Sequence, residues 1–321
     1  MRAAVTLEPR TLNVRQSPEP AVEPDEVLVK VAYAGICGTD LHIFHGTSAG
    51  VTYPIIQGHE FSGEVAAVGA HVNDVAVGAP VVAEGRAGTG FRRDGAFAEY
   101  LSVPREMLHV LPSGIDLVEA TLVDPLACAI NAVRRAQLKP TDHLVIVGQG
   151  SSGLCMLQSA RALVGCAVAV VDQRPERLRL SERFGASLVV DPARTEPSAA
   201  LANWAGEAGV DCVIDATGNA DAVDLELRVV RRDGRIVVYG VFGQPIQFNI
   251  DQVVYKQVTL AGAVGSGGCW SEAIRLVAEH KVELSPIISR TVRLEDLGEA
   301  LEALEAGRSD IKIVVEPGSS R

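Results

Sequence analysis

The 321-residue chain has no CxxC pair among its six cysteines, no run of five or six basic residues, and no stretch approaching eighteen consecutive apolar residues. Each absence removes a class of protein. The cysteines, at 37, 128, 155, 166, 212 and 269, are too widely spaced to suggest a disulfide framework, and a chain of this length needs none. Cys155, Cys166 and Cys212 fall in apolar patterns, where a thiol acts as a small buried hydrophobe. The 29 Lys and Arg are dispersed against 40 Asp and Glu, a net charge of -11, so a nucleic-acid backbone meets no electropositive surface. Glu8 interrupts the opening MRAAVTLEPR before a signal-peptide core could form, and no membrane-length segment follows. The expectation is a cytoplasmic protein with neither nucleic-acid nor membrane partners.

What is present is the composition of a compact folded chain, 47% apolar and 21% charged with 31 glycines. The first 125 residues read as short strands broken by Gly and Pro: EVLVKVAYAGIC, GEVAAVGA, GAPVVAEG and GAFAEYLSVP. From Pro125 the pattern changes to helical LACAINAVRRAQL, then to strand-length apolar runs alternating with helices: HLVIVG, AVAVVD, SLVVD, VDCVIDATG, GRIVVYG and VTLAGAV. That alternation predicts a six-stranded parallel sheet covered on both faces. A helix near Ser271–His280, the amphipathic LEDLGEALEALEAG and a last strand IKIVVEP are too short to hold a core, so they are expected to return to the first unit. The predicted fold is α/β: a discontinuous β-rich unit, 1–125 and 264–321, with a doubly wound parallel-sheet unit inserted at 126–263.

LVIVGQGSSGLC sets Gly148, Gly150 and Gly153 in GxGxxG spacing between a strand and a helix. The first glycine permits the turn, the second clears space for a pyrophosphate, and the third lets the helix pack on the strand. Backbone N–H groups at the helix start then face the phosphates. Glycine turns are common, but here AVAVVD ends in Asp172, twenty-four positions after Gly148, where a carboxylate can accept hydrogen bonds from a ribose. The same charge repels a 2′-phosphate, which favours NAD over NADP. Arg174, two residues on, is the competing signal.

GICGTDLHIFHG crowds Cys37, Thr39, Asp40, His42 and His45 together; His59 and Glu60 follow in GHEFSGEVAAVG and Asp124 in VDPLA. Thiolate, imidazole and carboxylate are the mixed ligands that zinc accepts. Spacing alone does not bring them together, and each has an ordinary structural reading. The ordered set CGTDLH, GHEFSGEVAAVG, VDPLA, VGQGSSG and DATGN resembles the zinc-containing medium-chain alcohol dehydrogenases, most closely their polyol and threonine dehydrogenase branch, over nearly the full chain.

That resemblance implies a GroES-like catalytic unit beside a Rossmann NAD-binding unit. It implies Cys37 and His59 as core ligands of a catalytic zinc, Glu60 as a third ligand or a carboxylate behind the metal, and Asp124 as a ligand, direct or through water. Thr39 resembles the residue that hydrogen-bonds the substrate hydroxyl. His42 resembles the relay to solvent, a task that suits histidine as a residue type. Glu60 is the alternative path for the proton. Thr217 and Gly218 are expected beneath the cofactor, Val241 near the nicotinamide, GAVGS near the catalytic cleft, and Lys312 at a cofactor phosphate. Asp40 reads as a loop-fixing acceptor; His45 is open between the substrate channel and packing.

The chain also departs from many relatives. Its VVAEGRAGTGFRRDGAFAEY carries no cysteine where they hold a structural zinc, so one zinc per subunit and no structural zinc are expected. The implied reaction is oxidation of a secondary alcohol by NAD: a polyol, cyclitol, vicinal diol or 3-hydroxy amino acid. A sheet edge at VTLAGAV suggests a homodimer at least, with a tetramer open. The competing readings are a zinc-independent quinone or enoyl reductase on the same scaffold and a non-enzymatic NAD-sensing or structural protein.

Overall fold

In a computed structural model, residues 1–85, 88–306 and 309–318 are described. The chain divides into two compact units, Met1–Asp124 with Leu284–Arg321, and Pro125–Glu283.

The first unit opens with a hairpin that the sequence reading did not anticipate, β1 (Arg2–Glu8) against β2 (Thr11–Gln16), followed by β3 (Glu26–Gly35), α1 (Gly38–Phe44), β4 (Ile55–Ile56), β5 (Glu60–Val68), β6 (Pro80–Ala83), β7 (Tyr100–Pro104), β8 (Leu108–Val110) and α2 (Leu117–Ala120). In β3 Val27, Leu28, Val29 and Val31 are buried, whereas Lys30 is exposed opposite Glu64 of β5.

The second unit runs from α3 (Val123–Arg135) through β9 (His143–Val147), α4 (Ser151–Leu163), β10 (Ala167–Val171), α5 (Pro175–Arg183), β11 (Leu188–Val190), α6 (Pro197–Ala205), β12 (Val210–Asp215), α7 (Ala220–Val229), β13 (Val230–Val238), α8 (Asp251–Lys256), β14 (Thr259–Gly262) and α9 (Trp270–Ala278). Its six strands pair in parallel in the order β11-β10-β9-β12-β13-β14, reversing direction of growth between β9 and β12. Every residue of β12 is buried, which is why such strands read as unbroken apolar runs.

Chain return differs in place from the expectation at 264. Asn131 donates to the carbonyls of Val264 and Gly265, Arg134 to Glu272, and Gln158 both donates to and accepts from the Glu283 backbone, so residues 264–283 pack with the parallel-sheet unit. The chain rejoins the first unit at Leu284 with β15 (Ile288–Arg293), α10 (Leu297–Glu305) and β16 (Lys312–Glu316). β16 pairs parallel with β15 and antiparallel with β3, Val314 opposite Gly35, completing the sheet order β15-β16-β3-β5-β6-β8 with β7 also on β3. Among the described residues no helix is long and apolar enough to cross a membrane.

One buried carboxyl in α7 carries a stability prediction. Glu226 is 2% exposed, its Oε1 has no hydrogen-bond partner among the described residues, and its pKa is pushed up to about 8, by burial first and then by Asp215. From the ordinary 4.5 up to about 8, the folded chain keeps a proton that the unfolded chain has released. Stability therefore falls as pH rises through that window and stays low above it. Glu226→Gln removes the titration, so its advantage over the parent should grow from near zero at about pH 4 to about 5 kcal/mol at about pH 9. Urea unfolding across that range measures it; an advantage that does not vary with pH would refute the assignment.

Candidate active site

The first constellation forms where β3 and β5 lie side by side. Gly35 pairs with Glu60, so Cys37, two residues past Gly35, and His59, one before Glu60, emerge at the same end of adjacent strands. Asp40 locks them. Its fully buried carboxylate accepts from the Cys37 N–H at 2.8 Å and the Gly58 N–H at 3.2 Å, tying the start of α1 to the loop before β5. Gln57 reinforces this, donating to the Asp40 carbonyl and accepting from Thr6 of β1. The loop-fixing reading of Asp40 is the geometry observed.

Ligand atoms of Cys37, His59 and Glu60 all lie within 4.8 Å of one another. Zinc bonds of about 2.0–2.3 Å in a tetrahedral array put ligand atoms about 3.5 Å apart, so the set needs only slight closure to hold the ion. Charge agrees with that fit. Burial alone would depress the His59 pKa, but Asp40, Cys37 and Glu60 outweigh it and hold the imidazole well above its usual range. His59 Nδ1 is buried without a hydrogen-bond partner among the described residues, 3.7 Å from Asp40 Oδ1. Burial raises the Asp40 carboxyl as well. A pocket of donors with surplus negative charge is what a divalent cation compensates.

Asp124, at the first turn of α3, is not a member of the three-residue set. Its carboxyl is pushed up to about 7, by burial first and then by Glu60, which places it near the set.

Lys312 requires a correction. Expected at a cofactor phosphate, it is instead 2% exposed and donates to Glu60 and to the Ile36 carbonyl at 2.9 Å. Its pairing follows from register: β16 lies beside β3, and Gly35 leaves room for the ion pair, since a Cβ there would sit 2.9 Å from both Glu60 Oε2 and Lys312 Cε. Burial works against the lysine's charge, but Glu60 outweighs it and raises the pKa.

Thr39 is exposed, its Oγ1 3.9 Å from Cys37 Sγ. His42 is exposed too, with Nδ1 3.3 Å from Thr47 Oγ1. His45 faces Glu305 of α10 at 3.2 Å, where Arg10 also pairs, so its ring fastens the end of α1 to α10. In the cysteine-free loop, Arg86 and Ala87 lie outside the described residues. The flanking glycines press on the ligand loop: a Cβ at Gly85 would be 3.3 Å from His59 Cβ, and one at Gly90 or Gly95 would strike the Gly58 backbone.

The second constellation belongs to the parallel sheet. Gly148 has φ +91, and a Cβ there would stand 2.7 Å from Thr217 Cγ2; one at Gly153 would stand 2.0 Å from the Gly148 carbonyl. A Cβ at Gly150 meets nothing within 4 Å, so the second glycine borders open space. This is the division of labour a pyrophosphate cradle requires. Asp172 follows β10 at 8% exposure and accepts from the Gln149 N–H at 2.6 Å and the Arg174 N–H at 2.8 Å. Arg174 thus contributes its backbone to Asp172, while Arg177 lies 3.7 Å from that carboxylate. Asp215 organises the turn after β12, accepting from Thr217 N, Thr217 Oγ1 and Gly218 N. Gly218, at φ +62, packs on the Val241 backbone, and Val241 itself is 73% exposed.

Gln57, Gly35 and Asp215 were missed as site-forming residues. Asp40 at the third position of α1 was a legible capping signal, whereas the Gly35–Glu60–Lys312 contact joins residues 252 apart and has no local signature.

A glycine cradle on a doubly wound sheet and a cysteine–histidine–glutamate set on a β-rich unit define a metal-dependent oxidoreductase of the nucleotide-cofactor kind. The alcohol dehydrogenase GroES-like domain matches residues 23–113, and the zinc-binding dehydrogenase family matches residues 153–279. D-arabitol-phosphate dehydrogenase of Enterococcus avium is 30% identical over 92% of this chain and 91% of its own. Sorbitol dehydrogenase of Bacillus subtilis is 28% identical over 99% and 97%. The crystal structure of 2R,3R-butanediol dehydrogenase from Bacillus subtilis superposes with a TM-score of 0.91 at 30% identity, covering 99% of each chain. The chain belongs to the zinc-binding alcohol dehydrogenase family.

Proposed function

We propose that this protein oxidises a secondary alcohol carrying a neighbouring hydroxyl or amino group to the ketone, passing hydride to NAD. Polyols, cyclitols, vicinal diols and 3-hydroxy amino acids are the substrate classes. The convergence of Cys37, His59 and Glu60 within 4.8 Å carries this reading. The similarity to arabitol-phosphate and sorbitol dehydrogenases supports the polyol class.

Cys37, His59 and Glu60 would hold one zinc, which Asp124 would join directly or through a water. Zinc, when bound, supplies a Lewis acid for an alcohol or carbonyl oxygen. NAD supplies the hydride acceptor, its nicotinamide C4, while the protein positions and shields. Thr39, beside Cys37, would accept a hydrogen bond from the substrate hydroxyl and hand on its own proton as it receives the substrate's, and exposed His42 would deliver a proton to solvent. The products are ketone, NADH and a proton. Lys312 holds Glu60 in place and keeps its charge compensated. On the cofactor side Gly148, Gly150 and Gly153 form the phosphate cradle, Asp172 and the Arg174 backbone flank the ribose, and Thr217 and Val241 border the nicotinamide half.

The partner beyond the small-molecule alcohol is a second copy of the chain: edge strand β14 leaves Leu260 42% exposed, the kind of edge that pairs in a homodimer or tetramer. Six cysteines too widely spaced for a disulfide framework fit a reducing, cytoplasmic setting.

The test is zinc stoichiometry on purified protein, then an NADH-monitored screen of vicinal diols, polyols, cyclitols and threonine. Zinc without turnover on any alcohol would remove the dehydrogenase reading, and turnover of an activated alkene with NADP alone would replace it by a reductase. Asp172→Ser should raise KM for NAD about tenfold to a hundredfold, the worth of hydrogen bonds to a charged group, and narrow the preference over NADP. An unchanged NAD to NADP ratio in that variant would take Asp172 off the ribose.

A further inference from the structure

Register lines up the carboxyl ends of the parallel strands in one row. Val171 of β10 pairs with Val147 of β9, Val147 with Asp215 of β12, Asp215 with Val238 of β13, and Val238 with Gly262 of β14. Ligands of such sheets collect outside that row. A dinucleotide seated with its pyrophosphate at Gly148–Gly153 and one ribose at Asp172 therefore extends its other half towards β12, β13 and β14. The loop that leaves β14, residues 263–268, stands at that end of the row.

This loop does little to hold itself. Gly265, Gly267 and Gly268 have φ of +62, +55 and +78, and the side chain of Val264 packs on almost nothing, at 86% exposure. Glycines lose the most backbone freedom on ordering, so such a span needs fixing from outside. One amide of α3 fixes it. Asn131 Nδ2 donates to the Gly265 carbonyl at 2.9 Å and to the Val264 carbonyl at 3.2 Å, and a Cβ at Gly267 would lie 2.4 Å from Asn131 Oδ1, so the chain turns closely around that side chain. The helix grips the segments on either side with neighbouring residues. Arg135 Nε donates to the Gly262 carbonyl in β14 at 3.0 Å, and Arg134 reaches Cys269 and Glu272 at the start of α9. Those contacts anchor the strand and the helix; Asn131 holds the span between them.

We propose that Asn131 is a positioning residue for the cofactor: by holding the Val264 and Gly265 carbonyls it preorganises residues 263–268 as the border of the nicotinamide half. It acts through the loop and touches no reacting atom. A loop ordered beforehand by Asn131 does not have to be ordered by the dinucleotide, and that saving appears as affinity. The proposal rests on NAD being the cofactor.

The experiment compares NADH with ADP-ribose, each titrated calorimetrically into the full chain, and measures hydrogen exchange of the 263–268 amides in the same proteins without nucleotide. Asn131→Asp keeps the size of the side chain but sets a carboxylate against two carbonyls in place of a donor. Exchange at 263–268 should quicken in this variant. NADH affinity should fall about threefold to tenfold, the worth of a neutral hydrogen bond, while ADP-ribose, which has no nicotinamide, binds as in the parent. Asn131→Ala, which removes the amide without adding charge, should shift the same way. Arg134→Gln is the packing control: it loosens α9 from α3 and should leave both affinities unchanged. Parental exchange rates in both Asn131 variants, parental NADH affinity, or equal losses of NADH and ADP-ribose affinity would overturn the proposal. A parent chain that binds neither nucleotide would remove the cofactor reading itself, and the proposal with it.

Discussion

Cys37→Ala is expected to lose the metal and the activity together: zinc falls from about one per chain towards zero, and kcat/KM drops by about a thousandfold or more, the several kcal/mol a Lewis acid supplies to a developing oxyanion. Removal of the thiolate leaves His59 and Glu60, and Glu60 is already committed to Lys312, so the residual set is a weak one. Thr39→Ala is the companion measurement. Its hydroxyl lies 3.9 Å from the sulfur but is not in the three-residue set, so zinc content should be retained while kcat falls about tenfold to a hundredfold, the usual range for a proton-transfer group. Metal analysis and steady-state kinetics on the two variants decide it. Full zinc and turnover in Cys37→Ala, or equal behaviour of the two proteins, would remove the metal assignment.

Lys312→Met should be the most damaging single change to stability. The ammonium is buried against Glu60 and is 2% exposed, so its removal leaves a carboxylate in a dry site beside Asp40 and Asp124. Breaking a buried pair from one side costs about 3–5 kcal/mol. In metal-free protein the full cost should appear; in zinc-loaded protein it should shrink, because the ion's charge compensates Glu60 in place of the lysine. Urea unfolding with and without a chelator reads that difference, which a mere packing defect would not show. If Lys312 instead served a cofactor phosphate, KM for NAD would rise while zinc made no difference to the size of the stability loss.

The glycine turn after β9 was legible because its steric demands are local. A glycine that must turn, a glycine that must clear space and a glycine that must let a helix approach sit within six residues, and Gly148, Gly150 and Gly153 show those three environments in turn. The parallel strands were legible for a related reason, since burial on both faces writes a continuous apolar run such as VDCVID. The hairpin of β1 and β2 was not, because β2 has only partly buried and exposed positions and lacks a clean alternation. The return of the chain was placed about twenty residues early, because hydrogen bonds from Asn131 and Gln158, not composition, keep residues 264–283 with the sheet.

By itself, then, the sequence determined the classes of structure this chain can form and the residue types available for chemistry: hydrophobic period, turn-forming glycines, and a thiol, an imidazole and carboxylates in a recognisable order. Tertiary structure decided which of them meet. Register between β3 and β5 set Glu60 opposite Gly35, and the pairing of β16 with β3 carried Lys312 across 252 residues to a carboxylate instead of a phosphate. Side-chain periodicity reports which face of a strand is buried, but a contact between strands depends on register and on the space a missing Cβ leaves, and neither is written in any one segment.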